Sequence, residues 1–282
     1  MQPYRIDGPA QICFSGGRSS AYMLYQILQA NGGLPPDVFV TFQNTGKERE
    51  ETLLFVRECG ERWGVPIRWL EYAGRAADVP KSKCDWREVS FATAARHGEP
   101  FAQLIDREQF LPNPVARVCT INLKIRVGAA FMHAQGFSEW DAVMGIRGDE
   151  PRRVARMSDP KRDNSAGVPL LPLARAQVRK ADVLAFWQAQ PFDLALDALG
   201  DLGNCDLCYL KARHKLVRAL VTEPQRAVWW IEQEAKGIST FRNDRPRYSE
   251  LQREAAFYAR QMPLDFEPDD TDEALADCMC GD

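Results

Sequence analysis

Six residues near the start of the chain, Ser15-Gly16-Gly17-Arg18-Ser19-Ser20, have the composition of a loop that can meet phosphate. Gly16 and Gly17 let backbone approach an anion, loop N–H groups and a following helix start attract it, and three serine hydroxyls add donors. Arg18 is expected to supply a countercharge. An ordinary serine–glycine turn with a good helix cap is the competing reading. The segment lacks the GxxxxGK[ST] pattern, which excludes a Walker-type site. Thiols form a second group. Cys205 and Cys208 make a C-x-x-C, Cys119 precedes Thr120, and Cys278 and Cys280 close the chain. Thiolates suit iron–sulfur clusters, with zinc as the main competitor. The eight cysteines are unevenly spaced over 282 residues, so a disulfide framework is not expected. Cys13, Cys59 and Cys84 read as structural, and His97, His133 and His214 share no ligand spacing. Arginines form the third group, because the planar forks of Arg147 and Arg153 can hold phosphate or sulfate in a bidentate way.

The elements that must carry these residues follow from hydropathy patterning. Ala10 to Phe14 is a short apolar run ending at the Ser-Gly-Gly turn, and Ala21 to Leu28 continues with helical spacing. Val38 to Phe42 reads as a second strand, Glu48 to Trp63 as a helix, Ile67 to Leu70 as a third strand and Ala142 to Gly145 as a fourth. Strands alternating with helices predict βαβ units and a parallel sheet. The glycine loop then lies at the carboxyl edge, where open α/β sheets bind ligands. Residues 74–118 break the alternation and read as an insertion. Thr120 is expected to cap a helix running to Gln135, and residues 146–167 read as a polar loop. From Gln177 onward only helical patterns occur: Lys180 to Gln190, Leu207 to Val221, Pro224 to Lys236 and Arg247 to Arg260. The expected organisation is an α/β domain over 1–175, a helical part over 176–262 and an acidic, cysteine-bearing tail over 263–282.

Bulk properties narrow the class. The net charge is −3, yet the last twenty-two residues hold eight acidic residues and no Lys or Arg, so the body ahead of them is net positive. A mildly basic body suits a phosphate-rich ligand. No run of eighteen apolar residues occurs and the first twenty lack a signal-peptide stretch, so no membrane association and a cytoplasmic location are expected.

The combined motifs resemble the phosphoadenosine phosphosulfate reductase-like family of the PP-loop, adenine nucleotide α-hydrolase superfamily, in its phage-type form. The Ser15–Ser20 loop is similar to the family's SGGxDS loop, with Ser19 where the family has Asp. Asn44-Thr45-Gly46, with Glu51-Thr52, resembles the D-T-G and E-T pair beside the nucleotide, where Thr45 and Gly46 would present backbone groups to an adenine edge. Acidic residues at a helix start are the plainer account of Glu48 and Glu51. Gly145 to Arg153 is similar to the G-I-R-x-x-E-x-x-R segment. Cys119 to Lys124 is similar to the C-T-x-x-L-K element, which adds Lys124 to the phosphate-binding set.

The resemblance implies an α/β fold with a Rossmann-like, doubly wound parallel sheet and a helical C-terminal part, and adenine-nucleotide chemistry with ATP or adenylyl sulfate as substrate and Mg2+ as an accompanying ion. It also implies a [4Fe–4S] cluster on Cys119, Cys205 and Cys208. Its fourth ligand would be Cys278, Cys280, a small molecule or nothing, with Cys280 the expected one. The leading expectation is substrate activation by adenylylation with sulfur transfer. Reduction of a sulfonucleotide through tail cysteines Cys278 or Cys280 is the alternative, and a non-catalytic nucleotide or nucleic-acid binder is a third class. Implied partners are a sulfur donor or thiol reductant and a nucleic-acid substrate.

Overall fold

The computed structural model describes residues 2–76, 80, 83–196 and 203–261. Six strands form one sheet in the order β4-β3-β2-β1-β5-β6. They are β1 (Ala10–Cys13), β2 (Val38–Asn44), β3 (Ile67–Tyr72), β4 (Trp86–Val89), β5 (Asp141–Met144) and β6 (Val168–Leu170). All neighbours pair in parallel except β3 with β4, which is antiparallel. The chain winds outward from β1 to β3, then returns to place β5 on the other side of β1. This is the doubly wound, Rossmann-like arrangement, and its switch point lies between β1 and β5.

Helices α1 (Arg18–Asn31), α2 (Glu50–Trp63) and α7 (Lys180–Gln188) cover one face of the sheet. Ile12, Phe14, Val40 and Phe42 from that face join Met23, Ile27, Phe55 and Trp187 in one apolar core. The other face is covered by α3 (Glu99–Glu108), a π-helical turn (Thr120–Ile125), α4 (Arg126–Ala134), α8 (Arg213–Thr222), α9 (Ala227–Ala235) and α10 (Tyr248–Gln261). Leu104, Leu123, Phe131, Leu216, Trp230 and Leu251 are buried together there. Between these blocks come α5 (Pro151–Met157) and α6 (Pro172–Arg175), and a 3-10 turn (Pro224–Arg226) precedes α9.

Several expectations change. The expected boundary at residue 176 falls inside the first core, because Val178, Val183 and Trp187 pack there, and Trp187 donates from Nε1 to the Arg18 carbonyl at 3.0 Å. The insertion and the helical part share the second core. Thr120 does not cap a helix, since the helical stretch begins at Val118 and Thr120 opens the π-helical turn within it. Leu207 to Ala212 is turn and loop, and α8 starts at Arg213. Two strands escape the hydropathy pattern. The outer strand β4 carries Arg87 and Glu88, charges suited to an exposed edge, and β6 is three residues long with Pro169 inside it. Helix α5 lies in the supposed polar loop, opened by Pro151 at its first position. Among the described residues no helix is long and apolar enough to cross a membrane.

Candidate functional site

The Ser15–Ser20 loop joins β1 to α1 at the carboxyl edge of the sheet. Gly16 has φ +80°, the left-handed region, and a Cβ there would lie 2.6 Å from Thr52 Cγ2 and 3.2 Å from Phe42 Cε2. Only a residue without a side chain lets the loop turn this close to α2. Gly17 is the N-cap of α1 and has no side chain to cap the helix's first N–H groups, which leaves that end to attract an anion. Ser15 Oγ donates to Ser20 Oγ at 3.0 Å, and Ser20 Oγ donates to the Gly17 carbonyl at 2.9 Å. Arg18 departs from its expected role. Its guanidinium binds Asp193 at 2.7 Å and the Leu194 carbonyl at 2.6 Å, so it ties α1 to the segment after α7.

The end of β5 reaches the same loop. A Cβ on Gly145 would stand 3.0 Å from Ser20 Cα and 3.3 Å from Ser19 C, so strand end and helix start meet backbone to backbone. Arg147 follows, buried, donating from a terminal nitrogen to Ser19 Oγ at 2.9 Å and from Nε to Asp149 at 2.9 Å. The position where the resemblance expects a carboxylate thus holds a serine engaged by a cation. Arg153, also buried, is paired with Glu150, while among the described residues its Nε has no hydrogen-bond partner.

Two adjoining cavities occupy the switch point. One is lined by Ser15, Ser20, Gly145, Ile146 and Arg153, and the other by Gln11, Gln43, Lys124 and Ile125, among others. Cys13, Ser15 and Met144 border both, so the two form one cleft over the ends of β1 and β5. The space within the larger, open solvent at its mouth included, is about 640 Å³. Lys124 and Ile125 reach it from the π-helical turn, a helix form often found at functional sites. Cys13 is not merely structural in position, and burial pushes its thiol up to about 12. Gln11 and Gln43 escaped the reading of the sequence. Their signal was period-2 alternation: Gln11 and Cys13 on β1, with Thr41 and Gln43 on β2, place polar groups on one face of strands that a buried parallel sheet normally makes apolar on both.

The thiol elements meet the sheet one strand further on. Arg49 N donates to the Asn204 carbonyl at 2.9 Å and Asp206 N to the Lys47 carbonyl at 2.6 Å, so 204–206 pairs with 47–49 like a short strand. Asn204 Nδ2 also donates to the Ser15 carbonyl at 3.1 Å, joining the C-x-x-C loop to the serine–glycine loop. Asp206, buried, lies 3.4 Å from Lys47 Nζ, 3.7 Å from Arg226 and 3.9 Å from Arg49. Glu48 is not a helix-start residue. It lies buried ahead of α2, accepts from Thr45 N at 2.7 Å and Thr45 Oγ1 at 2.8 Å, and stands 3.6 Å from Lys124 and 3.8 Å from Cys205 Sγ. Thr45 and Gly46 border neither cavity. Their N–H groups serve Glu48 and Asn44, and the Gly46 carbonyl accepts from Gly98.

Cys119, in the first turn of its helix, lies 3.4 Å from the Tyr209 hydroxyl, next in sequence to Cys208, and both cysteines border the second core. The turn holding Cys208 is fixed from behind. Tyr248 donates to the Leu207 carbonyl at 2.6 Å, and Arg245 donates to the carbonyls of Tyr209 and Lys211, each at 2.6 Å. Among the described residues no three His, Cys, Asp or Glu side chains stand close enough to hold one metal ion. Thiols from two elements joined through the Cys119–Tyr209 contact are nevertheless the donor type that iron–sulfur clusters take. Cys278 and Cys280 lie outside the described residues.

No family model matches the sequence. The chain is 30% identical over 207 residues, 73% of its own length and 67% of the relative's, to the uncharacterized nin region protein ORF290 of Escherichia phage lambda. By that extent of likeness the chain belongs to the same family as this phage protein.

Proposed function

We propose that this protein is a PP-loop adenine-nucleotide enzyme, similar to the phosphoadenosine phosphosulfate reductase-like family, that activates a substrate by adenylylation in iron–sulfur-dependent sulfur transfer. The observation that carries the reading is the cleft at the switch point, with an uncapped helix start, Ser15 and Arg153 at one end and the amides of Gln11 and Gln43 at the other. Anion-binding groups at one end and amides at the other suit a nucleotide laid across the carboxyl edge, phosphates toward the loop. A nucleophile on the substrate would attack the α-phosphorus, the bond to the bridging oxygen would break, and pyrophosphate would leave. The α1 N–H groups and Arg153 would stabilise the charge on that leaving group, and Lys124 would offset charge nearer the base. Cys119, Cys205 and Cys208, with Cys280 as fourth ligand, would hold a [4Fe–4S] cluster. When bound, that cluster would supply a site for sulfide.

A second reading is favoured by one contact. Arg147 engages Ser19 where the SGGxDS loop has a carboxylate, which suits a sulfonucleotide met by arginine. A tail thiolate would then attack the sulfur of adenylyl sulfate, AMP would leave with the S–O electron pair, and a second thiol would form a disulfide and release sulfite. The test is the full chain purified anaerobically, assayed for iron and sulfide, then supplied with ATP or adenylyl sulfate. Pyrophosphate from ATP supports adenylylation, and sulfite from adenylyl sulfate supports reduction. Binding of neither nucleotide overturns both.

A further inference from the structure

Gln11 Nε2 donates to Thr41 Oγ1 at 2.9 Å, and Gln43 Nε2 donates to the same oxygen at 2.8 Å. The NH2 groups also face helix α4: a Cβ on Gly128 would lie 2.4 Å from Gln11 Nε2 and 3.2 Å from Gln43 Nε2. The missing side chain of Gly128 is therefore what admits both amides beneath α4. Their donor ends are turned toward Thr41 and α4, and both residues line the cleft. Among the described residues neither Oε1 accepts a hydrogen bond. The single hydroxyl also restricts the alternatives. Thr41 has one proton and can serve only one carbonyl, so at least one of the two amides must donate to it and leave its oxygen for the cleft.

We infer that Gln11 and Gln43 are the residues that select the base, with Thr41 as the positioning hydroxyl, and that they accept hydrogen bonds from the exocyclic amino group of a 6-aminopurine. This rests on the cleft being a nucleotide site and names what reads the base within it. An acceptor pair matches an amino group and opposes the 6-oxo group of hypoxanthine or guanine, which would set carbonyl against carbonyl and leave buried acceptors unpaired. The phosphate end carries no such information, because every nucleoside triphosphate presents the same charge there.

The test is equilibrium binding of three probes to the full chain: ATP, inosine triphosphate and inorganic tripolyphosphate. The expected result is a preference for ATP over inosine triphosphate of about tenfold or more, the range that one or two such hydrogen bonds provide. Gln43→Leu and Gln11→Leu should each lower that ratio by about threefold, and the double variant should bring it to within about twofold, while tripolyphosphate affinity is kept, which also reports an intact loop. Gln43→Glu keeps an acceptor, to which Thr41 can donate, and should keep the preference. Equal affinity for ATP and inosine triphosphate in the unaltered chain overturns the assignment, as does an undiminished preference in both leucine variants. Failure to bind any of the three probes sinks the nucleotide reading itself, a result distinct from binding without discrimination.

Discussion

Replacing Gly16 by alanine should destabilise the protein through two separable causes. The backbone sits at φ +80°, where an L side chain costs about 1–2 kcal/mol. The added methyl would also stand 2.6 Å from Thr52 Cγ2, 3.1 Å from Val56 Cγ2 and 3.2 Å from Phe42 Cε2. Thr52 would have to retreat by about 1 Å to regain ordinary contact, yet it is fully buried at the start of α2. Overpacking of this kind costs about 1–3 kcal/mol, which brings the expected loss to about 2–5 kcal/mol and a fall of about 4–20 °C in Tm. Thr52→Ser removes the methyl that is struck. Alone it should cost about 1 kcal/mol, but in the Gly16→Ala background it should recover about 1–2 kcal/mol of the overlap and leave the φ penalty. Urea unfolding of the four proteins measures the cycle. A Gly16→Ala variant within about 0.5 kcal/mol of the parent, or a double variant equal to the sum of the singles, would refute the close packing of this loop on α2.

Arg147→Lys keeps the charge but not the fork that spans Ser19 and Asp149, so nucleotide affinity should fall about tenfold, and calorimetric titration giving unchanged affinity would mark Arg147 as structural. Asp206→Ala would take from buried Lys47 the carboxylate it faces, while Arg49 and Arg226 keep Glu223, and a loss of about 3–5 kcal/mol is expected in denaturant unfolding. The Cys13 thiol, pushed up to about 12 by burial, should stay protonated at pH 8. Iodoacetamide should therefore react slowly with it in the folded protein and readily once unfolded, whereas ready labelling of the folded protein at pH 8 would contradict the raised thiol. Gly145→Ala should weaken nucleotide binding by shifting the start of α1, and an unaltered affinity would deny that the β5 end supports the loop.

Much of the sheet was legible because its signals are local. The apolar run into Ser15-Gly16-Gly17 and the helical spacing after it announce β1, the loop and α1, and the same logic finds β2, α2, β3 and β5. The edge strands β4 and β6 were not legible, since charges and Pro169 disguise them and only pairing with β3 and β5 makes them strands. Side-chain fates were less readable still. Arg18 resembles a phosphate ligand until Asp193, distant in sequence, arrives beside it. Glu48 resembles a helix-start acid until the pairing of 204–206 with 47–49 buries it next to Cys205 and Lys124.

The residues themselves thus determined the loop and the alternation of strands with helices, because backbone conformation and hydropathy period are encoded within a few neighbouring positions. Tertiary structure alone decided which polar groups share a cavity. Gln11 and Gln43 lie thirty-two positions apart and become neighbours on Thr41 only through the register that sets Cys13 opposite Thr41. Strand register and the closeness of α4 at Gly128 are products of the whole core, and a one-residue slip of either strand would turn its amide to the opposite face of the sheet, away from the other.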